Sequence, residues 1–464
     1  MNNRTEIFKS HILLIKRCFF LALISVFFLI GNGCESSFLD AIPDKKIVVP
    51  STLADVRAIL NNTTRMNAQY PGTQEVLADD YYLPDENYDP LAGMAIGLAY
   101  LWEKDVFLTE SNDWSISYTT IFYTNVALET LDKMEVSDSE VDEWRRLKGQ
   151  ALFFRSFSFY HLMQLFAKPY EENASLTDLG VVLKLSADIN EPMKRATVKE
   201  CYDQITTDLV KSIDLLPINQ PYKTLPTVGA ANALLARVYL TMSDYVSALK
   251  YAQKALEQTD ELMDYNTLDK LSLKPFESFN KEVILHASLF NQPTSLTRIA
   301  KELYDLYNEN DLRKDLYFLK SENTDIIDYK GGYSGSRVLF GGLAVNELYL
   351  IIAECYARQN EQQKSLNVLN KLLEKRYDNK FSYVPIVETS QVDVLATVLR
   401  ERRKELFFRG LRWSDLRRYS FHESVNIKRV HKQNIYELKS NEISSYMLKI
   451  PYQVVVGNGL IQND

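Results

Sequence analysis

The 464-residue chain has only four cysteines, too few for a disulfide-stapled scaffold. Cys18 lies in an apolar run near the N-terminus and Cys34 just beyond it. That leaves Cys201 and Cys355, both in helix-patterned stretches, so an apolar core must supply the stability. Basic excess is also missing: 53 Lys and Arg stand against 61 Asp and Glu, a formal charge of −8. Loss of Arg4, Lys9, Lys16, Arg17 and Glu6 with the first 33 residues would take the charge to about −11. Phosphate binding needs clustered Lys and Arg, so a nucleic-acid partner is excluded. The run from Cys18 to Ile30 falls short of the roughly 20 apolar residues of a spanning helix and ends in Gly31-Asn32-Gly33.

Catalytic constellations are missing as well. His422-Glu423 opens a zinc-protease pair, but Asn426 stands where the second histidine belongs, which leaves a surface histidine. Gly331 and Gly332 lack the GxGxxG spacing and a following Gly-Lys-Ser/Thr, so the stretch reads as a flexible loop, not a phosphate cradle. Asp79-Asp80, Asp85-Glu86 and Asp89 hold enough carboxylates for a glycosidase, but adjacency along the chain does not set a spacing across a bond. No metal ligands, cofactor or catalytic residues are predicted.

What is present begins with an export signal: basic residues, an apolar run, then small residues. Cys34 directly after them resembles the lipidated cysteine of a bacterial lipoprotein, although Gly31 replaces the usual leucine three residues before it. The competing reading is an ordinary surface cysteine behind a cleaved signal. One acyl chain holds a membrane only marginally, so stable anchoring takes more than one, which bacterial lipoproteins supply.

Helical periodicity dominates the rest. Trp144, Leu147, Ala151, Phe154, Ser158, Leu162 and Leu165 share one face, with Phe153, Phe157 and Phe159 off it, so this helix is predicted to be buried on more than one side. Ala230 to Leu256 reads as two short helices. With Ala236 as the eighth position of a tetratricopeptide unit, Leu235, Tyr239, Ala248 and Ala255 take the seventh, eleventh, twentieth and twenty-seventh. A weaker unit runs from Ala353 with Ile352, Tyr356 and Ser365, and with Leu372 where alanine is preferred. The predicted fold is mainly α, a tetratricopeptide-type helical-pair scaffold over 113–265 and 343–420 with loop-rich insertions at about 41–112, 266–342 and 378–390.

Several motifs then fall in a shared order. They are Phe38-Leu39-Asp40 with Pro43 and Leu53 to Leu60; Trp114, Tyr118, Ile121 and Asn125; and Gly149 to Arg155, ending at Lys168-Pro169. Tyr202, Ile205, Asp208-Leu209 and Leu216-Pro217 follow, and then a helix from Leu399 to Tyr419 with Glu401-Arg402, Glu405, Gly410, Arg412, Asp415 and Arg418. In this order the chain resembles the SusD/RagB family of nutrient-uptake lipoproteins along nearly its whole mature length, 34–464. Arg409 departs from the acidic residue usual before Gly410, and Gln462-Asn463-Asp464 from the usual Gly-Tyr end. The resemblance implies a protein at the outer face of the outer membrane that binds an oligosaccharide, or a peptide, without cleaving it. It also implies delivery to a SusC-type TonB-dependent transporter. Glu401, Arg402, Glu405, Arg412 and Asp415 are expected to form an ion-pair network along their helix at i to i+4 spacing.

A sugar presents flat C–H faces ringed by hydroxyls, so its site needs exposed rings beside polar groups. Tyr81, Tyr82, Trp102, Tyr329 and Tyr333 are the candidate ligand-binding residues, with Asp79, Asp80, Asn87, Lys330 and Arg337 nearby. For each ring the competing reading is loop packing, most of all for Trp102, while Trp114 is expected in the core. Two other functions compete: a tetratricopeptide adaptor holding a protein segment, and a glycan-active enzyme.

Overall fold

The computed structural model describes residues 50–109, 111–290, 295–321, 324–387, 390–421 and 426–464. Cys34, Phe38-Leu39-Asp40, Pro43 and His422-Glu423 lie outside the described residues. No helix among the described residues is long and apolar enough to cross a membrane.

The architecture is mainly α. After α1 (Leu53–Leu60) come α2 (Asp113–Asp132) and α3 (Val141–Phe166), which pack on each other. The side chain of Asn112 accepts from the backbone N–H groups of Trp114 and Ser115, and the Ser115 hydroxyl accepts from Asn112 N–H; this reciprocal cap starts α2. Thr197 and Glu200 do the same for α4 (Val198–Ile213). Lying between α2 and α4, α3 is buried at every position from Gly149 to Phe166, which accounts for rings off its main stripe. Gly149 permits the close approach of Leu215 and Leu216, since an added Cβ would sit 3.0 Å from side-chain carbons of both. Arg155 crosses this interface, donating to both Asp208 oxygens at 2.8 and 3.0 Å and to Asn125 Oδ1 at 3.0 Å. Three motif residues distant in sequence thus meet in one buried cluster.

The alanine-rich stretch forms α5 (Val228–Thr241) and α6 (Tyr245–Leu256). Ala236, Ala248, Ala252 and Ala255 are fully buried where these helices approach, and Tyr239 stacks on Tyr251 at 5.5 Å. The weaker unit is the pair α7 (Val345–Arg358) and α8 (Gln362–Glu374), closed by Ser365 Oγ donating to the Ala353 carbonyl at 2.7 Å. Although residues 257–344 separate them in sequence, α7 packs on α6, and Arg237 of α5 grips Glu347 through two bonds of 2.8 and 2.6 Å. The stack therefore continues across the excursion.

The expected single helix from Leu399 to Tyr419 is two: α9 (Gln391–Glu405) and α10 (Arg412–Tyr419). Phe408 (φ 53°) and Gly410 (φ 69°) turn the chain left-handed between them, and Phe407 stacks on Phe408 at 4.0 Å against Tyr329. The ion pairs are correspondingly not an i to i+4 ladder. Glu401 and Glu405 hold Arg313 at 2.7 and 3.1 Å, Glu405 also holds Arg376, and Arg402 reaches Asp415 across the break at 2.9 Å. These groups are buried, so the network fixes tertiary geometry.

The regions before α2 and between α6 and α7 hold one- and two-turn helices and short strands, and they pair with each other. Strand β1 (Tyr81–Tyr82) runs antiparallel to β2 (Arg298–Ile299), and Tyr70–Pro71 pairs with Leu289–Phe290. The stretch 330–334 is a buried turn and not a flexible loop, closed by Gly332 N–H on the Ser336 carbonyl at 2.7 Å. After α10 the hairpin β3 (Asn426–His431) and β4 (Asn434–Lys439) folds back over residues 76–102.

Candidate functional site

Strand pairing decides which tyrosine faces out. Side chains alternate along a strand; Tyr81, opposite Ile299, turns inward, and Tyr82, opposite Arg298, is 41% exposed. Tyr81 donates its hydroxyl to the Val76 carbonyl at 3.0 Å, and burial raises its pKa. Outside this strand lies a cleft of about 680 Å³, between β1 and β2 on one side and β3 on the other. Tyr82, Lys301, Glu302, Asp325, Asn426 and Lys428 line it, with Tyr81, Tyr100 and Arg429 beneath.

Arg429 fastens the hairpin to the cleft floor. Its guanidinium lies 4.2 Å from the Tyr100 ring centre and 4.4 Å from that of Trp102, and it donates to the carbonyls of Val76, Ala78 and Tyr100. Burial lowers its pKa, a cost that the three carbonyls and the ring faces offset. At the hairpin tip His431 Nδ1 is 2.9 Å from Asp85 Oδ1, Lys432 pairs with Asp89 at 2.7 Å, and the His431 ring lies 4.2 Å from Tyr88. Asp85 and Asp89 therefore latch this wall.

The other predicted rings are not gathered here. Trp102, half-buried with φ 59°, donates Nε1–H to the Leu77 carbonyl at 2.9 Å and supports Arg429. Tyr329, also half-buried, packs edge-on against Phe407 and Phe408. Tyr333 is buried, donates to Glu282 Oε2 at 2.6 Å and has the Arg409 guanidinium 4.2 Å above its ring. Arg409, which departs from the usual acidic residue, is thus interior and stacks on Phe340 as well. Trp114 is in the core, as its helical context predicted.

The polar neighbours are largely engaged. Arg412 grips both oxygens of Asp79 at 2.6 and 2.9 Å, and Arg403 donates to Asp80 at 2.8 Å. Burial opposes ionisation of Asp79, but Arg412 and Arg403 outweigh it and hold that carboxyl below its usual range. For Asp80 burial wins over Arg403, helped by Asp79, and its pKa is raised. Asn87 donates to the Leu296 carbonyl and Lys330 to the carbonyls of Lys270 and Asp315. Arg337 is exposed outside the cleft lining. Among the described residues no cluster of three His, Cys, Asp or Glu has the arrangement to hold a metal ion.

Sequence reasoning missed the hairpin wall. Burial alternates from Asn426 to His431 but the apolar residues do not, since Arg429 is buried and Val430 exposed, and the two-residue turn is Lys432 (φ 45°) and Gln433 (φ 71°), with neither the Asn-Gly nor the Asp-Gly that signals such a turn.

A family model described as starch-binding associating with outer membrane matches residues 37–240, and the SusD family model matches 345–454. A SusD-like protein P2 from Formosa agariphila is 30% identical over 141 residues, which span 30% of this chain and 26% of that relative. A sugar binding protein structure from Bacteroides vulgatus shares 23% identity and superposes with a TM-score of 0.72 over 89% of this chain and 99% of its own. A SusD superfamily structure from Bacteroides thetaiotaomicron matches with a TM-score of 0.72 at 20% identity, over 89% and 100%. A laminarin binding SusD-like protein matches at 0.65 and 19%, over 88% and 98%. At these identities the likeness of structures establishes the fold, and the two family models bracket the helical stack from α1 to α10. The chain belongs to the SusD/RagB family.

Proposed function

We propose that this protein is anchored through Cys34 to the outer membrane, faces the outside, captures an oligosaccharide, and passes it uncleaved to a SusC-type TonB-dependent transporter. The observation that carries the reading is the exposed Tyr82 ring in a cleft with Lys301, Asp325 and Asn426 at its edges, a stacking face among hydrogen-bonding groups. Family membership and the laminarin-binding relative of like fold support the saccharide class. Tyr82 is the stacking ring, and Tyr81, Trp102, Tyr329 and Tyr333 hold the surrounding loops. The binding reading is preferred to an enzymatic one because Asp79 at the cleft and its neighbour Asp80 are committed to Arg412 and Arg403, which leaves Glu302 and Asp325 as the carboxylates of the lining.

The test is affinity purification of the native lipidated protein in mild detergent. Recovery of a TonB-dependent barrel in near-equal amount supports the uptake role. Recovery of a non-transport protein alone favours the adaptor reading, and release of reducing ends by the purified protein favours an enzyme.

A further inference from the structure

A second cleft, of about 470 Å³, lies beside Arg400 and Glu401 of α9, where the chain leaves α8. Its walls are Tyr377, Phe381 and Tyr383 on the loop side, and Asn308, Asn310 and Arg400 opposite. Phe381 is 56% exposed, and the rings of Tyr377 and Tyr383 lie 5.4 Å apart, tilted by 49°. Three aromatic rings in one short loop, beside two amides and a guanidinium, combine the flat apolar face and the directional donors and acceptors that a polyhydroxylated ring requires.

The loop is fixed in place. Tyr383 donates its hydroxyl to Asn370 Oδ1 at 2.6 Å, the same oxygen accepts from Ile386 N–H at 2.9 Å, and Asn370 Nδ2 donates to the Ile386 carbonyl at 3.0 Å. At the near end Asn266 donates to the Tyr377 carbonyl at 3.0 Å and accepts from Asn379 N–H at 2.9 Å. Two asparagines thus hold the loop from both sides, so ordering it on binding costs little. The floor is Glu401, buried, with its charge matched by Arg313 at 2.7 Å and Lys404 at 2.8 Å. A compensated floor under a polar rim favours a hydroxylated ligand over an apolar protein segment, which would have to strip water from Asn308, Asn310 and Arg400 without replacing it.

We infer that this cleft is a second saccharide-binding site, taking one or two neutral sugar rings stacked on Phe381. The inference rests on the reading of the chain as a saccharide binder, but it uses none of the residues of the first cleft. Fluorine NMR on the full chain in mild detergent separates the two, with 4-fluorophenylalanine in place of Phe381 in one sample and 3-fluorotyrosine in place of Tyr82 in another. The probes are laminaritriose, maltotriose and cellotriose at millimolar concentration. A saturable shift at position 381 with at least one of them is the expected result, and it stands whether or not position 82 responds. Shifts at 82 with none at 381 would overturn the second site and leave the first. Silence at both labels with all three sugars would overturn this inference, and the loss at 82 would separately count against the first cleft.

Discussion

Tyr82 and Tyr333 were equally good candidates as letters in a sequence, and substitution should separate them. Tyr82→Ala removes an exposed ring, so binding of a verified saccharide is expected to weaken about tenfold with the melting temperature unchanged. Tyr333→Ala empties a buried site beneath Arg409, and a loss of about 3–5 kcal/mol is expected in urea unfolding. Sequence named both because both are tyrosines in insertions. What distinguishes them is pairing with residues far along the chain, Arg298 for one and Glu282 for the other, and no local pattern carries that. Glu75 was not singled out, yet it is fully buried, with Oε2 accepting from Gly410 N–H at 2.6 Å. Burial, with Asp80 nearby, pushes its carboxyl up to about 8. The folded chain therefore keeps a proton that the unfolded chain releases above pH 4.5, and this group lowers stability as pH rises from there to about 8. Glu75→Gln should gain stability relative to the parent by a few kcal/mol between about pH 5 and about pH 9, read from unfolding midpoints. An equal difference at both pH values would refute it.

Periodicity made the elements legible where a helix has a repeating face, as in α3, α5 and α6, and failed where a helix is interrupted without proline. The apolar spacing of Leu399 to Tyr419 continues through the break, because Leu406, Phe407 and Leu411 are buried in the turn as they would be in a helix. Gly410 carried the one local signal, and its φ of 69° explains it. A Cβ there would also sit 2.8 Å from Gln74 Nε2, which is within 3.2 Å of His161 Nδ1, and 3.0 Å from Leu289. Gly410→Ala should therefore destabilise by at least about 1–2 kcal/mol, the left-handed penalty alone. A melting temperature within error of the parent would show that the turn between α9 and α10 relaxes freely. The hairpin of β3 and β4 escaped notice for the opposite reason: its turn residues carry positive φ without being glycine or asparagine.

Across the whole molecule, buried ion pairs join elements that are distant in sequence, and they set its behaviour in acid. Burial works against ionisation of Glu354, but Arg418 and Arg358 outweigh it and hold its carboxyl down at about 2. Asp311 and Glu405 are lowered in the same sense by Arg313 and Arg376, against burial. Each contributes stability above its unfolded pKa and loses it as pH falls through the folded value, so unfolding free energy should drop steeply from about pH 4.5 to about pH 2. Glu354→Gln should flatten that limb, and an unchanged acid limb would remove Glu354 from the account. The helical stack was largely readable from the sequence; that α6 and α7 are neighbours was not, because residues 257–344 stand between them. That adjacency has a consequence for change. The ends of the excursion are held together by the stack, and the entropy of closing a flexible ring grows only with the logarithm of its length, about 0.6 kcal/mol for a doubling. The exposed loops of this segment can therefore change in length while the paired helices keep their register, so the surface they form can vary faster than the scaffold beneath it.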